Sequence, residues 1–302
     1  MTEDEAGTLL PSLMEVRDRF MELVEGVRPE LHRYCARMTG SVIDGEDVVQ
    51  DTLARAYYAL SQMMEPPNLR PWLFRIAHNA AMDFLKRADR RYVELVETVP
   101  ERAELDERAV DPELVEAALA VFVELPPVQR SAIVLKDVLG HTLEEVATTM
   151  GTTVGAVKAA LWRARANIAR APRPSHARIA RTLTPEEEAV LRRYVNLFND
   201  RDWVGLRALL GEESRLEIVS RIQRRALDAG YYDRYAEITK TEDLRAELGV
   251  VDGLPAIAVF RLPDDAAPAY FMVLDVDEGA IARIRDFRYI PYIARGATFL
   301  RA

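Results

Sequence analysis

Binding chemistry, rather than bond-making chemistry, is what the best-spaced polar residues of this chain can perform. Lys158, Arg163 and Arg165 stand with Ala159 and Trp162 inside a stretch, Thr153 to Arg181, that carries seven basic residues and no acidic one. Cations on the exposed side of a helix pair with phosphates and, when that helix enters a major groove, with guanine edges. The block therefore predicts DNA contact. A second basic block, Arg70 to Arg91, holds six cations against Asp83 and Asp89. Between the two lies an acidic stretch, with ten acids and two arginines from Tyr92 to Glu124. The formal charge of −9 argues against a nucleic-acid partner only for a uniformly acidic surface, and this charge is not uniform. Cys35 is the only cysteine, which excludes an internal disulfide and a cysteine-based zinc site. All four histidines precede Thr184, so the last third of the chain has no imidazole for acid–base work near neutral pH.

The elements that must hold these groups are legible from periodicity. Phe20, Val24, Val27, Leu31 and Tyr34 recur at threes and fours and predict an amphipathic helix. Pro66 and Pro67 break that pattern, and a second helix is predicted from about Pro71 through Trp72, Ile76 and Phe84. Trp72 reads as core. Thr142 with Glu145 predicts a capping box, Gly151 a turn, and Thr153 a second cap. The following helix buries Val154, Val157, Leu161, Ala164 and Ile168, which turns Lys158, Ala159, Trp162, Arg163 and Arg165 outward. Thr184, Pro185 and Glu187 open a further helix. Residues 256–262, 269–274 and 281–289 then read as strands of an antiparallel sheet, giving an α+β unit. At 302 residues with 49% hydrophobic and 29% charged composition, separate hydrophobic centres are expected. Two or three such centres fit this length, and domains are assigned to 10–91, 112–171 and 184–302, joined by an acidic linker at 92–111 and a proline-containing hinge at 172–183.

Set in order, these segments resemble a known family. The run Asp44-Gly-Glu-Asp-Val-Val-Gln-Asp-Thr-Leu-Ala-Arg-Ala resembles the segment of extracytoplasmic-function (ECF) sigma factors, of the sigma-70 family, that docks on the clamp helices of RNA polymerase. Trp72 to Arg87 is similar to that family's minus-ten reader, and Leu125-Pro-Pro-Val-Gln-Arg with Gly140 to Arg165 to its minus-thirty-five reader. The resemblance implies a non-enzymatic, cytoplasmic promoter-recognition subunit of core polymerase (clamp helices and flap) that recognises both boxes and promotes DNA opening. It assigns Asp44, Glu46, Asp47, Gln50 and Asp51 to the polymerase, although an isolated acidic run also reads as a solvated helix face. Asn79, Asp83, Lys86 and Arg87 fall to the melted minus-ten strand. Lys158, Ala159, Trp162 and Arg163 fall to the minus-thirty-five groove, with Arg165 on the phosphate backbone. Pro66 and Pro67 stiffen the loop that pockets a flipped base in the family.

From Thr184 onward the order of helices and strands is similar to the SnoaL-like, ketosteroid-isomerase-like cone fold. The fold class expected is thus two all-α sigma domains followed by an α+β cone-fold domain. That last domain is read as regulatory, with an intramolecular contact to the sigma domains or a small-molecule or protein ligand both left open. Asp275, Asp286, Tyr231, Tyr232, Tyr270 and Tyr289 supply the types for an Asp–Tyr isomerase site, but lacking diagnostic spacing they read first as strand and turn residues. No cofactor, metal or membrane partner is expected. The rival readings are a helix-turn-helix regulator working without core polymerase and a fused enzyme domain.

Overall fold

The computed structural model describes residues 20, 22, 24–60, 68–92, 122, 124–170, 183–219, 230–263, 266–297 and 299–301, and the side chains of all but 88–92, 212, 213 and 296. The acidic linker, the proline hinge and the loop with Pro66 and Pro67 lie essentially outside the described residues. Two compact units emerge, one within Met1–Ala177 and one within Arg178–Ala302.

The first unit is helical: α1 (Arg28–Thr39), α2 (Val42–Leu60), α3 (Leu69–Tyr92), α4 (Pro127–Ile133, running on into a π-helical turn at Val134–Val138), α5 (Leu143–Met150) and α6 (Val154–Arg170). Local chemistry sets the boundaries. Gly40 ends α1 at φ 77°, in the left-handed region that a side chain would strain. Thr142 and Glu145 satisfy each other's backbone N–H groups at the start of α5, Gly151 ends it at φ 63°, and Thr153 accepts from Ala156 N–H at the start of α6.

Phe20, Val24, Leu31 and Tyr34 are buried as their spacing predicts, but they do not close a centre of their own. One apolar cluster runs from Phe20 through Trp72, Phe74 and Ala81 to Phe122, Ile133, Leu161 and Ala164. The two helical halves share this cluster, because α4 and α5 pack on α1 and α3. Polar groups cross the same boundary. Tyr34 Oη, His78 Nδ1 and Ser131 Oγ lie 2.9–3.0 Å from one another, and Arg130 donates to the carbonyl of Met38.

The second unit opens with α7 (Pro185–Asn199) and α8 (Trp203–Arg207), followed by β1 (Leu210–Ile218), α9 (Tyr231–Ile238), β2 (Leu244–Val251), β3 (Leu254–Arg261), β4 (Tyr270–Asp277), β5 (Ala280–Asp286), α10 (Tyr292–Gly296) and β6 (Phe299–Arg301). The strand order is β1-β5-β4-β3-β2-β6. β1 runs parallel to β5, so the sheet is mixed, not purely antiparallel as expected, while the other neighbouring pairs are antiparallel. Tyr194, Phe198, Trp203 and Tyr235 from α7, α8 and α9 pack on Ala246, Ile257 and Met272 and form the core of this α+β cone. β3 is buried on both faces, its Phe260 lying outside the cluster with α7, α8 and α9 and meeting Phe299 edge-on.

Gly45 lets α2 approach α1, because a Cβ there would stand 2.5 Å from Cα and N of Ala36. Gly45→Ala is therefore expected to lower the stability of the full chain by about 1–3 kcal/mol, read as an earlier midpoint in urea denaturation. An unchanged midpoint would mean the two helices can part without loss.

Candidate nucleic-acid interface

The helix predicted to contact DNA buries Val157, Ala160, Leu161 and Ala164 against α4 and α5. Its opposite side presents Lys158, Trp162 and Arg163 to solvent, with Ala159 half-buried between them. Trp162 is 55% exposed, an unusual position for a large aromatic. Arg165 is held differently. Its guanidinium makes two bonds to Asp137, Nε to Oδ2 at 3.1 Å and Nη2 to Oδ1 at 2.8 Å, so a phosphate would have to displace that carboxylate. Helix geometry thus separates an open pair, Lys158 and Arg163, from a cation already engaged.

On α3, Asn79, Asp83, Lys86 and Arg87 share one exposed face, while Trp72, Phe74, Ala77 and Ala81 point into the core. His78, one residue from Asn79, faces inward. Burial pushes its imidazole down to about 4, so it is neutral near pH 7 and bonds the hydroxyls of Tyr34 and Ser131 without charge. Asp83 is tied to Arg55 of α2 at 3.3 Å, and Arg55 in turn holds Asp51 at 2.7 Å. Arg55 was not singled out by sequence reasoning. Its i,i+4 spacing from Asp51 was a legible signal, but the link to Asp83 exists only because α2 and α3 pack together.

The acidic run on α2 divides in the same way. Asp47 is exposed and Asp44, Gln50 and Asp51 are half-buried along the outer side. Glu46 is corrected as a docking residue, because it is fully buried: its carboxylate accepts from Arg28 and from Gln50 Nε2 at 2.9 Å. In the same unit, Arg70 grips Glu30 and donates to His141 Nε2 at 3.3 Å, and the rings of Phe74 and His141 meet edge-on at 4.9 Å.

In the second unit the structure gathers Asp286, Tyr231 and Tyr270, and adds Tyr235 and Arg288. Tyr231 and Tyr235 donate to Asp286 Oδ2 at 3.0 and 2.8 Å, and Arg288 N–H donates to Oδ1 at 2.9 Å. A phenol has one proton; since that of Tyr235 goes to Asp286, Tyr270, 3.0 Å away, donates to Tyr235 and accepts from Arg288 Nη1 at 3.2 Å. Burial pushes the Asp286 carboxyl upward, opposed by these bonds, and pushes the phenols of Tyr231 and Tyr235 well above their usual range. Tyr232 is buried beside them, whereas Asp275 pairs with Arg283 at 2.6 Å and Tyr289 is half-exposed, so neither belongs to the cluster. Tyr235, missed by sequence reasoning, stands one helical turn from Tyr231.

Removing one member of the buried pair should separate the two kinds of acid on α2. Glu46→Ala leaves Arg28 buried without its carboxylate and is expected to cost about 3–5 kcal/mol, while Asp47→Ala leaves the urea midpoint where it was. Equal midpoints for the two variants would contradict the assignment.

Residues 23–91 match the family model described as Sigma-70 region 2, and residues 116–168 the one described as Sigma-70, region 4. The chain is 29% identical to the ECF RNA polymerase sigma factor SigG of Mycobacterium tuberculosis, over 90% of this chain and 82% of that one. It is 30% identical to the ECF RNA polymerase sigma factor SigM of the same species, over 51% of this chain and 77% of the relative. Among solved structures, the M. tuberculosis extracytoplasmic function sigma factor SigJ aligns over 90% of this chain and 97% of its own, at 22% identity and a TM-score of 0.35.

Proposed function

This chain belongs to the extracytoplasmic-function sigma factors of the sigma-70 family, and on that premise we propose which of its residues read the promoter and which meet the polymerase. Sigma factors of this family direct core RNA polymerase to promoters and are not themselves enzymes. In this chain, Lys158, Trp162 and Arg163, with Ala159 between them, enter the minus-thirty-five groove. The observation that carries this is the open, uncompensated cationic face of α6: Lys158 and Arg163 are solvent-exposed and the surrounding block has no acid. Ala159 offers no hydrogen bond and contributes close approach or a thymine-methyl contact. Arg165 serves the phosphate backbone by exchanging Asp137 for a phosphate, which keeps it in place when DNA is absent.

Asn79, Lys86 and Arg87 hold the unpaired minus-ten strand, with Asp83 positioned by Arg55 rather than contacting phosphate itself, since two like charges repel. Asp44, Asp47, Gln50 and Asp51 form the acidic face toward the polymerase clamp, and Glu46 supports that face from beneath. Ion pairs from Arg55 to Asp51 and to Asp83, both exposed, link the polymerase-facing and the DNA-facing sides of the unit.

The second unit acts as a regulatory domain. Alignment with SigG over 90% of this chain supports a role shared with the sigma domains rather than an independent one. The competing reading, an isomerase-like enzyme, draws on the buried Asp286 with its tyrosines. Both of its carboxylate oxygens are already engaged by donors, which favours a structural anchor over a general base. No helix among the described residues is long and apolar enough to cross a membrane.

Arg163→Ala is expected to weaken promoter binding by the reconstituted polymerase by about 1–3 kcal/mol, with relaxed preference at one position of the upstream box. Wild-type affinity in a filter-binding or footprinting assay would remove Arg163 from the interface. A chain ending near Arg181 should change promoter-specific transcription in vitro more than a few fold, and equal activity would sink the regulatory role of the second unit.

A further inference from the structure

Two arginines on α1 stand without an acid. Arg33 and Arg37 are four residues apart, so they lie on the same side of the helix, and like charges at that spacing repel. Arg33 is exposed and Arg37 half-buried, and among the described residues no carboxylate pairs with either. Acids on α1 and α2 are committed elsewhere: Glu30 is held through both carboxylate oxygens by Arg70, Glu46 by Arg28 and Gln50, and Asp51 by Arg55.

Arg37 carries a second penalty. Its Nε is closed off from water with no acceptor in reach, and a donor buried in that way has lost its hydration without recovering a bond. Burial, and after it the neighbouring Arg33, pushes the Arg37 guanidinium below its ordinary range. An exposed cation is well solvated, so Arg33 alone would signify nothing; the orphaned Nε of Arg37 is what makes the pair a site. An anion that draws the Arg37 side chain outward relieves the repulsion and the unpaired donor together.

The fold places this pair beside α2. His32 Nε2 meets the carbonyl of Val42 at 2.9 Å, and Ala36 lies so close to Gly45 that a Cβ there would stand 2.5 Å from its backbone. Each arginine follows one of these two residues in sequence and is therefore turned about 100° further round α1. Arg33 and Arg37 thus border the first turn of α2, the helix that carries Asp44 and Asp47.

We propose that Arg33 and Arg37 form a basic part of the polymerase-docking surface and receive a carboxylate side chain of the core enzyme. The proposal rests on the assignment of the outer side of α2 to the polymerase, and adjacency to that helix is what favours a protein acid over a DNA phosphate. Acids on α2 beside cations on α1 give the surface two signs, which fixes how a partner sits more closely than a patch of one sign does.

The test measures binding of the full chain to core polymerase in the absence of DNA. Arg37→Met keeps the apolar stem and removes the charge and the orphaned donor. It is expected to bind core about tenfold more weakly, with a urea midpoint equal to or above that of the wild type. Arg33→Glu, which presents the wrong sign, should bind more weakly still. Core binding at the wild-type level by both variants overturns the proposal, whether promoter opening is retained, as for a merely solvated face, or lost, as for cations that hold DNA. A lowered midpoint for Arg37→Met with unchanged core binding makes Arg37 a packing residue and overturns it as well. Should Arg37→Met fail to fold, Arg33→Glu at its exposed position decides alone. Asp47→Lys measured alongside separates the premise: if it binds core as the wild type does while the arginine variants do not, the acidic assignment falls and the basic contact stands.

Discussion

One continuous apolar cluster, from Phe20 to Ala164, is the constraint on which the helical unit depends. Helices as short as α4 and α5 gain little from their own hydrogen bonds, and helices of this length are stable through the apolar face they bury. In this chain that face is buried against α1 and α3. The polar crossings at Tyr34, His78, Ser131 and Arg130 are then required, because any polar group caught in such an interface has to find a partner or be penalised for its desolvation. The same requirement explains why His78, which stands between core residues and the exposed Asn79, is neutral near pH 7.

Charge is sorted by the same rule. Arginine and glutamate that fall on the inner side of a helix appear as a closed pair, Arg28 with Glu46, while those on the outer side are left to water or to weak, exchangeable partners such as Asp137 for Arg165. An exposed pair of that kind is cheap to break, and a nucleic-acid phosphate can replace the carboxylate. A buried pair is not. The difference separates residues that maintain the fold from residues available to a promoter or a polymerase, although all of them belong to the same charged runs in the sequence.

The α+β unit solves a different problem. Its sheet is closed on one face by α7, α8 and α9, and the buried Asp286 is the one carboxylate at the centre of that aromatic core among the described residues. Three donors and a relay from Arg288 through Tyr270 and Tyr235 satisfy it. A network of this kind confers a unique packing on an otherwise apolar interior.

Much of this was legible in the order of residues. Periodicity and capping signals determined α1, α3, α5, α6 and α7 with the faces they bury, because a helix's neighbours at three and four residues are local in sequence. The outward placement of Lys158, Trp162 and Arg163 followed from the same rule. What lies between elements was not legible. Whether Glu46 faces a polymerase or Arg28, whether Arg55 reaches Asp83, and which tyrosines surround Asp286 depend on how helices and strands pack, and no pattern within one element contains that. The edge strand β1 escaped notice because Leu210-Gly-Glu-Glu-Ser-Arg-Leu carries charges on a half-open edge, and its parallel pairing with β5 requires a partner distant in sequence. Local hydrogen bonding and side-chain period settled which segments are helices; only long-range packing, where desolvation selects which polar groups must meet, decided that the two helical halves share a single core.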